Sequence, residues 1–369
     1  MPYNGRAFAA AMNTPSMTGP LVANPNPLSF DAGSLGTIYL TGAATGLAFW
    51  QNNPVPGNEP GYVDLSNGQL IVQKADGWLQ FFADVGAYSQ PALGTPYVSA
   101  VDATEHSFGY LPQGYLKIAP TPTISIEAGK LPTQIGEENS LSFQNVDIER
   151  GLLWNQTPSF TRGVQANYSN GPVNVDVSWN DGYYSDRLNW VTGTASYAWN
   201  DNIDTVGIIG GANLGHTGYS SFATPLAQNN SVIGDLSYAY VLGAWMVNPY
   251  VQASHVPANP QIGFLHGAST FSGALLASYS FTNELFLAGR AEYISATGND
   301  AAGTPDLLYG PGSNAWSLTL TPTFQHGIFF ARADASYVSA DNAQAGDEFG
   351  ARLDKSGQSR LMLETGVLF

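Results

Sequence analysis

The sequence contains no cysteine and little charge. Asp, Glu, Lys and Arg make up 11% of the residues, whereas a soluble domain typically carries about 25%. Only 12 Lys and Arg stand against 28 Asp and Glu, so no basic stripe is available to displace counterions from phosphates, and a nucleic-acid partner is excluded. The absence of cysteine suits a chain that passes through an oxidising compartment.

Long apolar runs are also missing. A transmembrane helix needs about 20 predominantly apolar residues, and the longest such stretch, interrupted by one Gly, covers only residues 238–247. Helical membrane spanning is therefore excluded. Residues 8–12 are too short for the apolar core of a signal peptide, so we expect either a mature form that carries an initiator Met or a protein that is not secreted.

Motifs for catalysis or metal binding are scarce. The histidines form no H-x-x-x-H pair, and neither a G-x-S-x-G motif nor a phosphate loop occurs. Ser254 and His255 are adjacent in a predicted strand, where successive side chains face opposite sides. The sequence therefore predicts no enzyme, no cofactor and no metal site. The histidines are His106, His216, His255, His266 and His326.

Alternation of apolar and polar residues dominates the chain from residue 36 onward. In residues 314–325, for example, Leu318 and Leu320 alternate with Thr319 and Thr321. Turn-forming residues separate such segments, which is the weak per-segment signature of a transmembrane barrel. The predicted strands are 36–50, 67–74, 77–89, 109–119, 122–131, 159–169, 172–181, 189–200, 203–214, 231–242, 245–256, 269–281, 284–296, 314–325, 328–339 and 359–369.

The links between these strands alternate in length. Every second link is a tight turn such as Asn170-Gly171, and the others are longer, up to the link at 132–158. Short periplasmic turns and long extracellular loops are typical of outer-membrane barrels. Residues 36–369 are therefore predicted to form an all-β, closed antiparallel transmembrane barrel of about 16 strands, with 14 or 18 as alternatives. Residues 1–35, rich in Pro, Asn and Ser, are predicted to be an extended segment, periplasmic or poorly ordered.

Two features favour a barrel in lipid over a soluble sandwich, which also alternates. The polar face carries mainly Ser, Thr, Asn and Gly, as expected of a water-filled lumen. Aromatic residues cluster at strand ends, as in the interfacial girdles of membrane barrels. These residues are Phe49, Trp50, Trp78, Trp179, Trp190, Tyr197, Trp199, Tyr238, Tyr240, Trp245, Tyr279, Phe281, Tyr293, Trp316 and Tyr337. The chain also ends inside a strand on Phe369, which looks like the signal that bacterial outer-membrane barrels present to their insertion machinery.

Residues 129–179 resemble the β-barrel porins of OmpL-like type. Gly-Lys ends a strand and leads to a Gly-Glu loop, an Asn-rich stretch, an Arg, a Pro, then Gly-Val-x-x-x-Tyr and Asn-Gly. The sequence departs from that pattern at Glu149-Arg150-Gly151 and at Asn180-Asp181-Gly182. The resemblance implies an integral porin of the bacterial outer membrane that lets small polar solutes and ions diffuse passively. Its surroundings would be outer-membrane lipid and lipopolysaccharide, and a homotrimer is one assembly left open. The alternatives are a structural or adhesive barrel closed by its loops and an outer-membrane enzyme.

The link at 132–158 occupies the position at which sixteen-stranded porins fold a loop into the lumen, and its charges predict a pore constriction. Rings of carboxylates favour cations, so a modest cation preference is expected. The alternative is a solvated extracellular loop whose acids bind divalent cations beside lipopolysaccharide. The predicted constriction residues are Glu137, Glu138, Asp147, Glu149 and Arg150.

Further charges are predicted in the lumen, because a charge on the lipid face costs about 2–4 kcal/mol near the midplane. Arg290 with Glu292, and Arg332 with Asp334, lie two residues apart on one face, so they either brace the wall as ion pairs or contact solutes. Arg162 has the parity of an outward residue, and it either snorkels at the outer rim or is re-aimed by a bulge. The predicted lumenal charges are Asp84, Glu127, Lys130, Asp176, Asp235, Arg290, Glu292, Arg332 and Asp334.

Overall fold

Almost all of the regular structure is β-strand in the computed structural model, which describes residues 19–201, 203–299 and 303–369. No helix in these ranges combines the length and the apolar composition needed to cross a membrane. The strands are β1 Leu28–Asp31, β2 Thr37–Gln51, β3 Gly61–Lys74, β4 Leu79–Tyr88, β5 Gln113–Ile118, β6 Ile124–Pro132, β7 Phe160–Asn170, β8 Val173–Asn180, β9 Trp190–Trp199, β10 Asp204–Asn213, β11 Val232–Leu242, β12 Trp245–Val256, β13 Ala268–Ser280, β14 Leu285–Ala296, β15 Asn314–His326, β16 Phe329–Asp341 and β17 Gly357–Leu368. The short helical segments are α1 Ala100–Ala103, α2 Leu226–Asn229, a π-helical turn Thr104–Phe108 and the 3₁₀ turns Gly33–Leu35, Ser142–Gln144, Trp154–Gln156 and Pro260–Ile262.

Strands β2 to β17 form a closed antiparallel barrel of 16 strands. Each strand pairs with the next one along the chain, and β17 closes the ring on β2 with Met362 opposite Phe49. The predicted fold and all sixteen predicted strands are confirmed. The additional strand β1 pairs with the beginning of β2, where Leu28 lies opposite Leu40; four residues are too few to show a period in the sequence.

The largest difference in strand boundaries is at β3, which begins at Gly61, six positions before the predicted start at 67. Between β2 and β3 the register shifts after Thr45, leaving Ser66 as an extra residue on β3. Such a bulge reverses which parity faces outward, so Val63 is exposed before it and Leu70 after it. A strict period-two search therefore loses the first half of this strand.

The two faces of the wall have the expected character. On β15, Leu318 is 54% exposed and faces outward, whereas Thr319 is 6% exposed and faces the lumen. Exposed aromatic side chains form a belt at each end of the barrel, including Trp50 and Trp316 at the loop end and Trp245 at the turn end. These outward residues are the ones that lipid would contact.

Two of the aromatic residues assigned to the girdles lie elsewhere. Phe49 and Trp190 have lumenal parity, and both are buried. Their position at strand ends suggested a girdle, but in a strand the parity decides which face a side chain occupies. Trp190 proves important for the path through the barrel.

The N-terminal segment reaches the interior of the barrel. Residues 1–18 of the predicted extended segment lie outside the described residues. Leu21 is buried in a cluster with Phe330. The backbone N–H of Val22 donates to Gln325 Oε1, and Gln325 Nε2 donates to the Val22 carbonyl, both at 2.8 Å. Leu21 and Val22 therefore fill part of the lumen beside β15 and β16.

Candidate functional site

The 27-residue link between β6 and β7, residues 133–159, lies inside the barrel and is called the lumenal loop below. All of its residues from 140 to 153 are buried. Part of the reason is apolar, because Leu141 and Phe143 pack with Phe330 and Leu368 of the wall. The rest of the attachment depends on charged groups, and it involves four of the charges predicted for the lumen, Arg290, Glu292, Arg332 and Asp334.

Arg290 of β14 is the centre of the first ionic cluster. Its guanidinium lies 2.6 Å from Glu138 Oε1 and 3.6 Å from Asp147 Oδ2, both on the lumenal loop. It also lies 3.2 Å from Glu292 Oε2 on its own strand. The Arg290–Glu292 pair considered in the sequence is therefore present, and two loop carboxylates extend it into a buried network.

A second cluster joins the loop to β16 and β17. Arg332 pairs with Glu364 at 2.6 Å rather than with Asp334, its neighbour two residues away. Arg360 pairs with Glu149 of the loop. The lumenal charges predicted from the sequence include neither Arg360 nor Glu364, because the prediction for the last strand rests on its apolar, outward face. Their alternation with the leucines of that strand was the available signal.

Wall carboxylates also bind the backbone of the loop. Asp334 Oδ2 accepts hydrogen bonds from the N–H groups of Ile148 and Glu149, at 3.1 and 3.3 Å. Glu292 Oε2 accepts from the N–H of Leu152 at 2.9 Å. These bonds satisfy buried backbone donors that no regular structure would otherwise pair, so they hold the irregular loop in one conformation.

Burial shifts the pKa values of three charged groups on the loop, Glu138, Asp147 and Arg150. Burial raises the pKa of Glu138 to about 7, and the Arg290 guanidinium opposes that rise. Burial also raises the pKa of Asp147 and lowers the pKa of Arg150 to about 9, against the opposing effect of Glu138 and Glu149. Side chains buried this deeply do not contact ions that move through an aqueous channel.

The structure thus divides the five predicted constriction residues into two groups. Glu138, Asp147, Glu149 and Arg150 are buried in contacts between the loop and its surroundings; the Arg150 guanidinium lies 4.8 Å from the ring of Trp154. Glu137 is only partly buried. Both Glu137 and Glu138 border an open space on the side of β7 to β11.

That open space is a cavity of about 410 Å³ between the lumenal loop and strands β7 to β11, called the lower cavity. Asp176 lies in its wall and accepts a hydrogen bond from Thr194 Oγ1 at 3.0 Å. Glu127 lies opposite Gln165, another wall residue, and pairs with Lys117 at 3.0 Å. The lining includes the acids Glu137, Glu138 and Asp176 beside Gln165, Thr194 and Ser196, and no basic side chain is among the described lining residues, so the cavity has an acidic excess.

The remaining predicted acids face the lumen but are buried. Asp84 accepts a hydrogen bond from Gln69 Nε2 at 2.9 Å. Asp235 accepts from the N–H of Gly136 on the lumenal loop at 2.9 Å. Both carboxylates therefore have structural partners in this conformation.

Lys130 lies on the opposite face from the one expected. It shares its parity with Ile126 and not with Glu127, because a spacing of three residues in a strand reverses the face. Its Nζ donates to the carbonyl of Phe108 at 3.1 Å at the loop end. The lumenal assignment of Lys130 in the sequence is thus corrected to the outer rim.

Arg162 lies directly opposite Lys130 in the β6–β7 pairing. The register is regular there, and the guanidinium extends to Asp181 at 2.7 Å and Asp186 at 2.6 Å. The ring of Tyr184 lies 3.8 Å from it. Of the two alternatives for Arg162, the geometry supports the one at the outer rim. No group of three or more His, Asp or Glu that could hold a metal ion occurs in the part of the chain that the structure describes.

A family model described as "Putative beta-barrel porin-2, OmpL-like" matches residues 37–369, which is the whole barrel. The chain belongs to this family. The protein is therefore an outer-membrane porin, integral to the membrane, with its short turns on the periplasmic side and its long loops outside. No curated protein matches the sequence.

Solved structures of outer-membrane barrels share the fold. OmpT of Vibrio cholerae is 12% identical, with 93% of this chain and 100% of that chain covered and a TM-score of 0.61. The trimer form of in-vitro folded OmpT is 10% identical, with 90% and 99% covered and a TM-score of 0.57. OmpF of Salmonella typhi, in complex with daunomycin, is 11% identical, with 93% and 100% covered and a TM-score of 0.60. At such low identity the likeness shows the fold alone.

Proposed function

We propose that this porin conducts small polar solutes and ions with a modest preference for cations, as a channel and not as an enzyme. The observation that carries the cation preference is the charge beside the lower cavity. Glu137 and Asp176 line it, while the nearby Lys117 is already paired with Glu127. A carboxylate excess in a narrow space with low-dielectric walls raises the local cation concentration.

The acids buried with the lumenal loop contribute less to this field. Glu138 borders the same cavity, but Glu138 and Glu149 each contact an arginine of the wall at ion-pair distance, which weakens the field of each carboxylate. Charges separated by more than about 10 Å are largely screened at 0.1 M salt. Of the five loop residues predicted to line a constriction, we therefore propose only Glu137 as a selectivity residue, together with Asp176 of the wall.

Reversal potentials under a KCl gradient in planar bilayers test this proposal. Replacing both lining acids, Glu137→Gln with Asp176→Asn, should move the reversal potential toward zero, and the effect should be larger at low salt. Glu59→Gln is the matched control, since it removes one carboxylate from an exposed loop position. An unmodified channel that prefers anions would contradict the proposal.

We also propose a homotrimer as the assembly. The support is the trimer form of OmpT, a structure with the same barrel fold. Chemical cross-linking in native membranes, followed by mass measurement of the complex in mild detergent, should give three copies. A monomer that persists under both conditions would contradict the trimer.

A further inference from the structure

A second cavity lies above the lumenal loop on the same side of the barrel as the lower cavity. It has a volume of about 310 Å³, is called the upper cavity, and is bounded by the loop and by the outer loops. Its lining includes Phe108, Trp154, Thr157, Tyr183 and Phe222. Both cavities combine apolar and polar lining, and they differ in charge. Glu137, Glu138 and Asp176 border the lower cavity, whereas no charged side chain is among the described residues that line the upper one.

The two cavities are separated by a thin layer of the lumenal loop. Gly136 lines the lower cavity and Thr157 lines the upper one. A Cβ atom placed on Gly136 would lie 3.2 Å from Thr157 Cγ2. The two arms of the loop therefore touch here, and a solute that passes from one cavity to the other has to cross this layer.

Three apolar side chains complete the layer and are called the collar: Ile135 of the lumenal loop, Tyr183 of the next outer loop and Trp190 of β9. The rings of Tyr183 and Trp190 are 5.5 Å apart and nearly perpendicular. A Cβ atom placed on Gly211 of β10 would lie 2.7 Å from Ile135 Cδ1 and 3.0 Å from Trp190 Cζ3. Ile135 thus reaches across to the wall, and the collar leaves no exposed surface at Ile135 or Trp190.

The loop is held differently on its two sides. At the collar the described contacts are neutral or singly charged: Thr192 Oγ1 donates to Gln134 Oε1 at 2.7 Å, and the N–H of Gly136 donates to Asp235. Towards β14 and β17, buried ion pairs such as Arg290–Glu138 and Arg360–Glu149 fasten the loop. Charge-assisted bonds are about twice as strong as neutral ones. The arm at 134–136 is therefore the part of the loop that can yield most easily.

We infer that the permeation path crosses the lumenal loop at the collar, and that Ile135, Tyr183 and Trp190 set the conductance while the buried acids serve to anchor the loop. The inference rests on the proposed channel function and adds the position of the narrowest point. An apolar constriction resists hydrated ions by excluding water. Glu137 and Asp176 in the lower cavity then favour cations over anions among the solutes that have crossed the collar.

Single-channel conductance tests the collar directly. Ile135→Ala and Tyr183→Ala each remove bulk from it without altering a barrel strand, and each should raise the conductance by about twofold or more. Leu141→Ala is the matched control. Leu141 lies on the same loop and is as buried as Ile135, but it belongs to the cluster that contains Phe143 and Phe330 and lines neither cavity. Its conductance should match that of the unmodified protein.

Because the chain has no cysteine, single thiols give an independent measurement. A charged thiol reagent added from the long-loop side should modify Ser196→Cys in the lower cavity slowly, and faster when Ile135→Ala is also present. Thr157→Cys in the upper cavity should react at the same rate in both backgrounds. These rates remain measurable even where a variant conducts poorly.

The inference is overturned if both collar variants keep the unmodified conductance, or if Leu141→Ala raises it instead. Equal reaction of Ser196→Cys with and without Ile135→Ala would also overturn it. These outcomes differ from failure of the proposed cation preference, which appears as an anion-selective reversal potential and leaves the conductance ratios of the collar variants unaffected.

Discussion

Removal of Arg290 should strongly destabilise the barrel. This guanidinium is buried among Glu138, Asp147 and Glu292, with its shortest contact, 2.6 Å, to Glu138. Arg290→Met keeps an unbranched side chain of similar reach but leaves three carboxylates around an apolar group. Breaking a buried ion pair by removing one partner costs about 3–5 kcal/mol, and we expect a loss of the free energy of unfolding in that range at pH 8.

The loss should be smaller at acidic pH. Burial raises the pKa of Glu138, and Arg290 is the largest cause that lowers it. The net pKa is about 7, above the ordinary value of 4.5. Without the arginine the folded-state pKa rises further. A folded-state pKa above the unfolded one gives a contribution that is fully present below pH 4.5 and lost as the pH rises through the folded value. Protonation of Glu138 should therefore restore part of the stability at pH 5.

The measurement is reversible urea unfolding of the reconstituted barrel, followed by tryptophan fluorescence at pH 8 and pH 5. Arg352→Met is the matched control, because Arg352 is exposed on the loop between β16 and β17 and its replacement should change the free energy of unfolding by less than about 0.5 kcal/mol. The reasoning is refuted if Arg290→Met loses no more than this control at pH 8, or if its loss grows on acidification.

Three further changes probe assembly, register and the N-terminal segment. Phe369 closes the seam of the barrel by backbone pairing with β2, so Phe369→Asp should reduce the heat-modifiable, membrane-integrated form seen on gels; unchanged levels would contradict an assembly role. Leu318→Arg, on the lipid face, should cost about 2–4 kcal/mol in a bilayer-folding titration, whereas Ser196→Arg in the lower cavity should cost less; equal penalties would contradict this assignment of the two faces. Gln325→Leu removes two hydrogen bonds to Val22, each worth about 1 kcal/mol, so limited proteolysis should cleave near Val22 faster than in the unmodified barrel, and an equal rate would refute the clamp.

The strands were predictable because two solvents act on the wall. Lipid outside and water inside require opposite side-chain chemistry at successive positions, and this requirement leaves a period of two wherever pairing is regular. The period failed at β3, where Ser66 is an extra residue and the parity reverses. It also gave no signal for β1, whose four residues are all exposed.

The lumenal site was predictable in composition but not in pairing. Parity alone located Arg290 and Asp176 on the inner face, because charges are excluded from lipid. It could not pair Arg290 with Glu138, since these residues are 152 positions apart and the path of an irregular loop leaves no periodic trace. Trp190 is a different case: its place at a strand end suggested the membrane interface, although its parity with Thr192 already indicated the lumenal face.

The two sides of the lumen should respond oppositely to loss of one carboxylate. Glu149 is buried and contacts Arg360, so Glu149→Gln leaves a buried guanidinium without its counterion and should lower the free energy of unfolding by about 3–5 kcal/mol. Asp176 is only partly buried, with a hydroxyl partner in the lower cavity, so Asp176→Asn should shift the reversal potential and change stability little. Measuring both quantities for both variants separates anchoring from permeation. If Glu149→Gln changed selectivity as much as Asp176→Asn, the anchored side of the loop would have to lie along the ion path, and the division of the lumen into an ionic anchor and an open polar passage would fail.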